Sequence, residues 1–233
     1  MSTIVVLAGE GEYGSDRTMR AVADDLRREL GAHVVYRTPD VLEDMPDFPR
    51  STFGGLDDLR RADLMVIYTR FRILPDEEMR RIVDFCGRGG NVLGLRTSTH
   101  AFHYPPESPW FDWSEAFGRE VLGSPWISHH GHTSTTDVSW FSDEQHPILA
   151  GVPRSFRSSS WLYRSDLQPD CKPILWGTPV DPEDDPTPSP FAWVRERGEQ
   201  RVVYTNMGHE RDFELAAVRR FLVNAARWCT DDQ

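Results

Sequence analysis

The sequence predicts an α/β fold: a single-domain, doubly wound, mostly parallel sheet flanked by helices, with an antiparallel hairpin near the C-terminus. Three observations carry this. Short β-branched runs alternate with helix-period segments through the first hundred residues. The segments between those runs are helix-length crossovers, which force their strands to run parallel. Near the C-terminus, two strand-like runs are separated by Glu196–Gln200 alone, the spacing of a hairpin.

Thr3–Leu7 reads as a buried strand that ends in the glycine-rich Gly9-Glu10-Gly11-Glu12-Tyr13-Gly14. Ser15 is positioned to cap a helix whose Met19, Val22, Leu26 and Leu30 share one face, and Gly31 stops it before a second strand, His33–Arg37. Leu64–Tyr68 is the next strand. Pro75 then opens a helix with Asp76, Glu77 and Glu78 in its first turn, where acids suit the positive end of the dipole. Met79, Ile82, Val83 and Cys86 give that helix its core face. Gly87, Gly89 and Gly90 end it, and Asn91–Leu95 follows as a strand. In the second half, Val138–Phe141, Ser159–Tyr163, Pro173–Gly177, Phe191–Arg195 and Arg201–Thr205 read as short strands. Pro179–Pro190, with five prolines and four acids, reads as a solvated loop. A last helix from about Glu214 buries Leu215, Val218, Leu222, Ala225 and Cys229. With no repeats and no linker, residues 1–233 are expected to form one domain.

Of the 233 residues, 39% are hydrophobic and 27% charged, ordinary values for a globular chain. A net charge of -11 argues against nucleic acid or an anionic membrane as the main partner and leaves a small molecule open. Cys86, Cys171 and Cys229 are far apart and odd in number, so neither a disulfide framework nor a zinc knuckle is expected. The apolar run Ile4–Ala8 is too short for a signal-peptide core, and a cytoplasmic location is the expectation.

Ligands of parallel sheets bind outside the carboxyl ends of the strands, which directs attention to Gly9–Ser15, Thr69–Leu74, Arg96–Tyr104 and Met207–Asp212. The first loop has glycines in a nucleotide-like place, but their spacing misses the dinucleotide fingerprint, and Glu10 and Glu12 would repel a pyrophosphate. A turn with exposed acids and a site for a hydroxyl-rich ligand remain as readings. Gly94–Phe102 runs from a strand into a helix start, the place of a nucleophile elbow. The elbow residue is Arg96, which stays protonated and cannot be a nucleophile. Ser98 lies too far along the segment to replace it. Arg96 could bind a ligand oxygen or pair with Glu10 or Glu12. His100 is open between a structural and a catalytic role.

His129-His130-Gly131-His132 has metal-ligand composition. In an extended chain His130 and His132 face one way and His129 the other, so His130 and His132 could share a divalent cation, zinc for example, given a third ligand such as His146, His100 or a carboxylate. In Gly208-His209-Glu210-Arg211-Asp212, His209 is a candidate general base or acid and Asp212 a candidate helix cap. Phe102, Tyr104, Trp110, Phe111 and Trp113 crowd one proline-punctuated loop. They suit a core, the interface of a homo-oligomer, or a platform for the apolar face of a sugar ring.

Taken in order, several segments resemble the ThuA-like, or trehalose-utilisation, family: Asp63–Gly90, Gly94–Phe102, Gly123–His132, His146-Pro147-Ile148 with Gly151-Val152-Pro153, Phe191–Asp212 and Val218–Trp228. The resemblance implies a flavodoxin-like fold, that of the class I glutamine amidotransferases, and an association with disaccharide or keto-sugar catabolism. Amidotransferases carry a cysteine at the elbow, so Arg96 excludes glutamine hydrolysis by that route. ThuA-like members commonly carry histidine there, and Arg96 departs from that too. His209 falls where the family keeps a histidine, and His100 where a histidine or acid is frequent. The expectation is therefore a protein acting on a carbohydrate as a hydrolase, lyase or isomerase. His209 and His100 would be catalytic, and Glu10, Glu12, Tyr13, Arg70, Arg96, Trp110 and Glu210 would contact substrate. A non-catalytic carbohydrate-binding or regulatory protein is the alternative.

Overall fold

The structure is a computed structural model that describes residues 1–45, 47–132, 134–142, 146–181 and 186–231. In chain order, β1 (Thr3–Gly9) leads through a glycine loop to α1 (Ser15–Leu30) and β2 (His33–Arg37), and β3 (Asp40–Glu43) and β4 (Arg50–Thr52) form a small hairpin. β5 (Leu64–Thr69), α2 (Asp76–Gly87) and β6 (Asn91–Leu95) complete the regular half. The short α3 (Trp113–Ala116) continues as a π-helical turn over Phe117–Leu122. There follow β7 (Ser128–His129), β8 (Thr135–Trp140), β9 (Ser155–Ser158), β10 (Tyr163–Arg164), β11 (Lys172–Val180), β12 (Ser189–Arg197), β13 (Gln200–Thr205) and α4 (Ala216–Thr230).

The main sheet has, among the described residues, nine strands in the order β2-β1-β5-β6-β13-β12-β11-β8-β9. The pairings from β2 to β13 are parallel, and those from β13 to β9 are antiparallel. The expected hairpin is thus the first pair of a longer antiparallel arm. Alternation along β1 builds both layers of core. Ile4, Val6 and Ala8 face α1 and α4, whereas Val5 and Leu7 face α2. Burial of the strands on both sides explains why they read as continuous apolar runs.

Three local expectations change. Gly14, in the left-handed region at φ 57°, caps α1, while Ser15 lies inside the helix and its Oγ accepts the Glu10 amide. Ser159–Tyr163 is not one strand, because Ser158, Ser159 and Ser160 turn inward to bind Asp212. Pro179–Val180 and Ser189–Pro190 extend β11 and β12 rather than lying in a loop; residues 182–185 of that segment fall outside the described ones. All three cysteines are free thiols. No helix among the described residues is long and apolar enough to cross a membrane.

Candidate functional site

The chain leaves β1 for β2 on one side and returns to β5 on the other, so the switch in strand order lies between β1 and β5. The loops after these two strands, the elbow after β6 and the turn after β13 meet above that point.

Glu10 is 2% exposed at the end of β1. Its Oε1 accepts the Glu12 amide at 2.8 Å and its Oε2 has no hydrogen-bond partner. Burial pushes its carboxyl above the ordinary range, with Thr97, the Glu12 amide and Arg70 pulling the other way. Glu12 pairs with Arg70 at 2.6 Å, each more than a third exposed, so the pair fixes loop geometry more than it stabilises the fold.

Arg96 keeps the backbone of an elbow, with φ 42° in the left-handed region, a strained conformation for a side-chain-bearing residue. Its side chain is fully buried. One Nη donates to the Trp161 carbonyl at 3.1 Å and the other to the Tyr13 hydroxyl at 3.0 Å. The guanidinium lies over the rings of Tyr13, Tyr163 and Trp161 at 4.6, 4.8 and 5.4 Å, a cation-π cage. Its Nε has no partner. The expected pairing with Glu10 or Glu12 does not form, since both acids have other partners and aromatic faces surround the guanidinium. A direct contact with a ligand oxygen is also shielded, because the ring of Tyr13 lies over the guanidinium. Gly208 closes the cluster. A Cβ there would stand 2.8 Å from the Tyr68 hydroxyl and 3.0 Å from Arg96 Cβ, so only glycine lets the late turn approach the elbow.

His209 caps the 3-10 turn Glu210–Glu214, its Nδ1 accepting the Arg211 amide at 3.2 Å. This corrects the expected cap: Asp212 is buried instead, accepting from Ser158 and Ser160 hydroxyls and from the Ser159 and Gly208 amides. The Ser160 hydroxyl also accepts the amides of Gly208 and His209, so this network fixes the turn that carries the imidazole. Burial lowers the His209 pKa. Arg96 adds to that push and Asp212 opposes it. With Nδ1 accepting, the proton of the neutral ring sits on Nε2. His209 is therefore a donor toward anything bound near Tyr13, whose ring is 5.9 Å away.

His100 is 7% exposed and packs against Phe71, Trp126 and Tyr163 with ring centroids at 4.7, 5.1 and 6.2 Å. Burial first, then the charges of Arg70 and Arg96, push its pKa down to about 3, so it is neutral at physiological pH.

The histidine cluster differs from the extended-chain expectation. Gly131 at φ 107° reverses the chain, which brings His132 back over His129, ring centroids 4.4 Å apart. Both rings pack on Trp161 at 5.3 Å. His130 is buried while His132 is exposed, so the pair sharing a side is His129 with His132, not His130 with His132. His146 lies elsewhere, against Trp228 near the end of α4. Among the described residues no three His, Cys, Asp or Glu side chains are grouped to hold a metal.

Trp110 stands apart, its indole donating to Asp76 at the start of α2, and Glu210 is exposed on the 3-10 turn. Phe102 and Tyr104 from the aromatic loop are core residues. The aromatic faces beside the elbow belong instead to Trp126, Trp161 and Tyr163, which sequence reasoning did not single out. Trp161 and Tyr163 sat inside a segment read as a plain strand, and only the pairing of β10 with β7 brings them to the site.

Fold and site together define an α/β protein with a strand-end cluster and an arginine where the elbow nucleophile of related folds would stand. The profile of the ThuA family, described as trehalose utilisation, matches residues 4–229, and the chain belongs to that family. A ThuA-like protein from Parabacteroides merdae has the same fold, with a TM-score of 0.69 at 14% identity over 98% of this chain and 90% of its own. Agd3, a carbohydrate deacetylase, matches with a TM-score of 0.56 at 12% identity over 99% of this chain and 32% of its own. A cold-adapted β-galactosidase from Rahnella sp. R3 matches with a TM-score of 0.57 at 14% identity, over 98% and 31%. At these identities the likeness is one of fold. No curated protein matches the chain.

Proposed function

We propose that the strand-end cluster binds a sugar or keto-sugar and that His209 donates or exchanges a proton with one of its oxygens. The observation that carries this reading is the convergence of two neutral histidines, His100 and His209, with the half-buried Trp161 and the Glu10–Glu12 loop, around one buried cation. Aromatic faces suit the apolar face of a pyranose, and carboxylates accept its hydroxyls. Arg96 serves at one remove: it holds the Tyr13 hydroxyl and adds its charge to the burial that lowers the pKa of both histidines. The family and the carbohydrate-active neighbours agree with a sugar ligand, though they name no substrate for this chain. A divalent cation at His129 and His132 would be an addition to this site; absence of stoichiometric zinc from purified protein removes it.

A second reading, a non-catalytic sugar-binding protein, is favoured by one observation. The His209 Nδ1 is engaged by the Arg211 amide, so the ring works as a base only after that bond opens. The variant His209→Ala separates the two. Under the first reading it retains affinity for trehalose or its keto derivative within roughly threefold, as expected when one donor of a multi-contact site is lost, and turnover disappears. A wild-type protein that binds but never converts these sugars supports the second.

A further inference from the structure

Beside the strand-end cluster lies a groove of about 810 Å³, whose lining includes Phe48, Tyr104 and His103 with the charged Arg50, Asp76 and Glu107. Five of its lining residues, His103 to Ser108, come from the proline-punctuated aromatic loop that the strand-end site left unused. Phe48 and His103 stack nearly parallel, centroids 3.8 Å apart and planes inclined by 17°. Tyr104 contributes its ring alone, since its hydroxyl both donates to the Leu74 carbonyl and accepts the Leu74 amide. Stacking holds the His103 ring in place, and among the described residues neither of its nitrogens has a hydrogen-bond partner. A half-buried imidazole with both nitrogens open, at the edge of an aromatic surface and flanked by acids and an arginine, is suited to ring hydroxyls.

Phe71 joins residues of the groove to a residue of the cluster. Phe71 packs on His100 at 4.7 Å on one side and on Phe48 and His103 at 5.4 and 6.1 Å on the other. Its backbone is held at φ 47°, and its amide donates to the His100 carbonyl, so strain is maintained at this joining residue. We infer that this groove is the subsite for a second sugar ring, so that a ligand bound at the strand-end cluster extends past Phe71 onto the Phe48–His103 surface. The inference rests on the sugar reading of the cluster and adds to it the size of the ligand and the residues that select it.

The test is calorimetric titration of the full chain with glucose and with trehalose. Wild-type protein is expected to bind trehalose roughly tenfold more tightly than glucose, the scale of one added aromatic ring contact. His103→Ala is expected to erase that advantage and leave glucose affinity unchanged. Glu107→Gln, an exposed substitution that keeps the fold, is expected to reduce it in part. Equal wild-type affinity for the two sugars overturns the subsite while leaving the cluster's sugar reading intact, as does a His103→Ala variant that weakens both alike. Binding of neither sugar overturns both.

Discussion

Among the described residues two arginines are fully buried, Arg96 above the carboxyl ends of the parallel strands and Arg195 on β12 toward the opposite end of the sheet. Arg195 is provided for in full. Both its Nη2 and Nε reach Asp170, at 2.8 to 3.2 Å, and its Nη1 meets the carbonyls of Glu120 and Val121 at 2.8 and 2.9 Å. Arg96 has no carboxylate within ion-pair distance among the described residues, three aromatic faces, and an unsatisfied Nε. A buried charge matched by a carboxylate belongs to the architecture. One left with aromatic neighbours, beside two histidines whose protonation it opposes, is costly to the fold and influences the site.

The comparison can be broken by measurement. Removing Asp170 leaves Arg195 buried and uncompensated, and Asp170→Ala is expected to cost about 3 kcal/mol in urea unfolding, the low end of the range because the aspartate is partly exposed. A loss under 1 kcal/mol would remove the structural role assigned to the Arg195 end.

His100 comes next. Its folded pKa, about 3, lies below the ordinary 6.5, so the unfolded chain takes up the proton first as the pH falls. The stability it contributes is present above pH 6.5 and is lost between 6.5 and about 3. His100→Gln is expected to flatten this acid limb, changing by about 3 kcal/mol less than wild type between pH 7 and pH 4. Parallel pH profiles would show that the imidazole is not held neutral by its surroundings.

The smallest effect on stability is expected at Arg96. Arg96→Met keeps the volume and removes the charge, and the unfolding free energy should move by no more than about 1 kcal/mol in either direction. The His209 midpoint, followed by imidazole NMR, should rise, because Arg96 is among the groups that depress it. A large destabilisation with an unmoved His209 midpoint would make Arg96 a second Arg195.

The two regions also differ in how far the sequence discloses them. The strands and helices of the parallel half follow from local patterns: β-branched runs, the acidic first turn of α2, Gly31 at the end of α1. The loops carrying Glu10, Arg96, His100 and His209 were legible for the same reason, since each directly follows a strand. The antiparallel arm and its returning segment were not. Trp161 and Tyr163 reach the elbow only through the pairing of β10 with β7, and His129 meets His132 only because Gly131 turns the chain. These are contacts distant in sequence or set by one backbone dihedral, and neither leaves a periodic signal. The Ser158–Asp212 network shows the same limit. Asp212 has the composition of a helix cap, and only its burial beside three serines gives it another role.

The central claim is that loops far apart in sequence form one sugar-binding cluster around Arg96. The most direct test is side-chain NMR of the histidines and tryptophans during titration with trehalose. The imidazoles of His100, His129, His132 and His209 and the indole of Trp161 should shift together, with one midpoint, while His33, His146 and Trp228 stay still. Shifts confined to His146 and Trp228, or no shift at saturating sugar, would contradict the account.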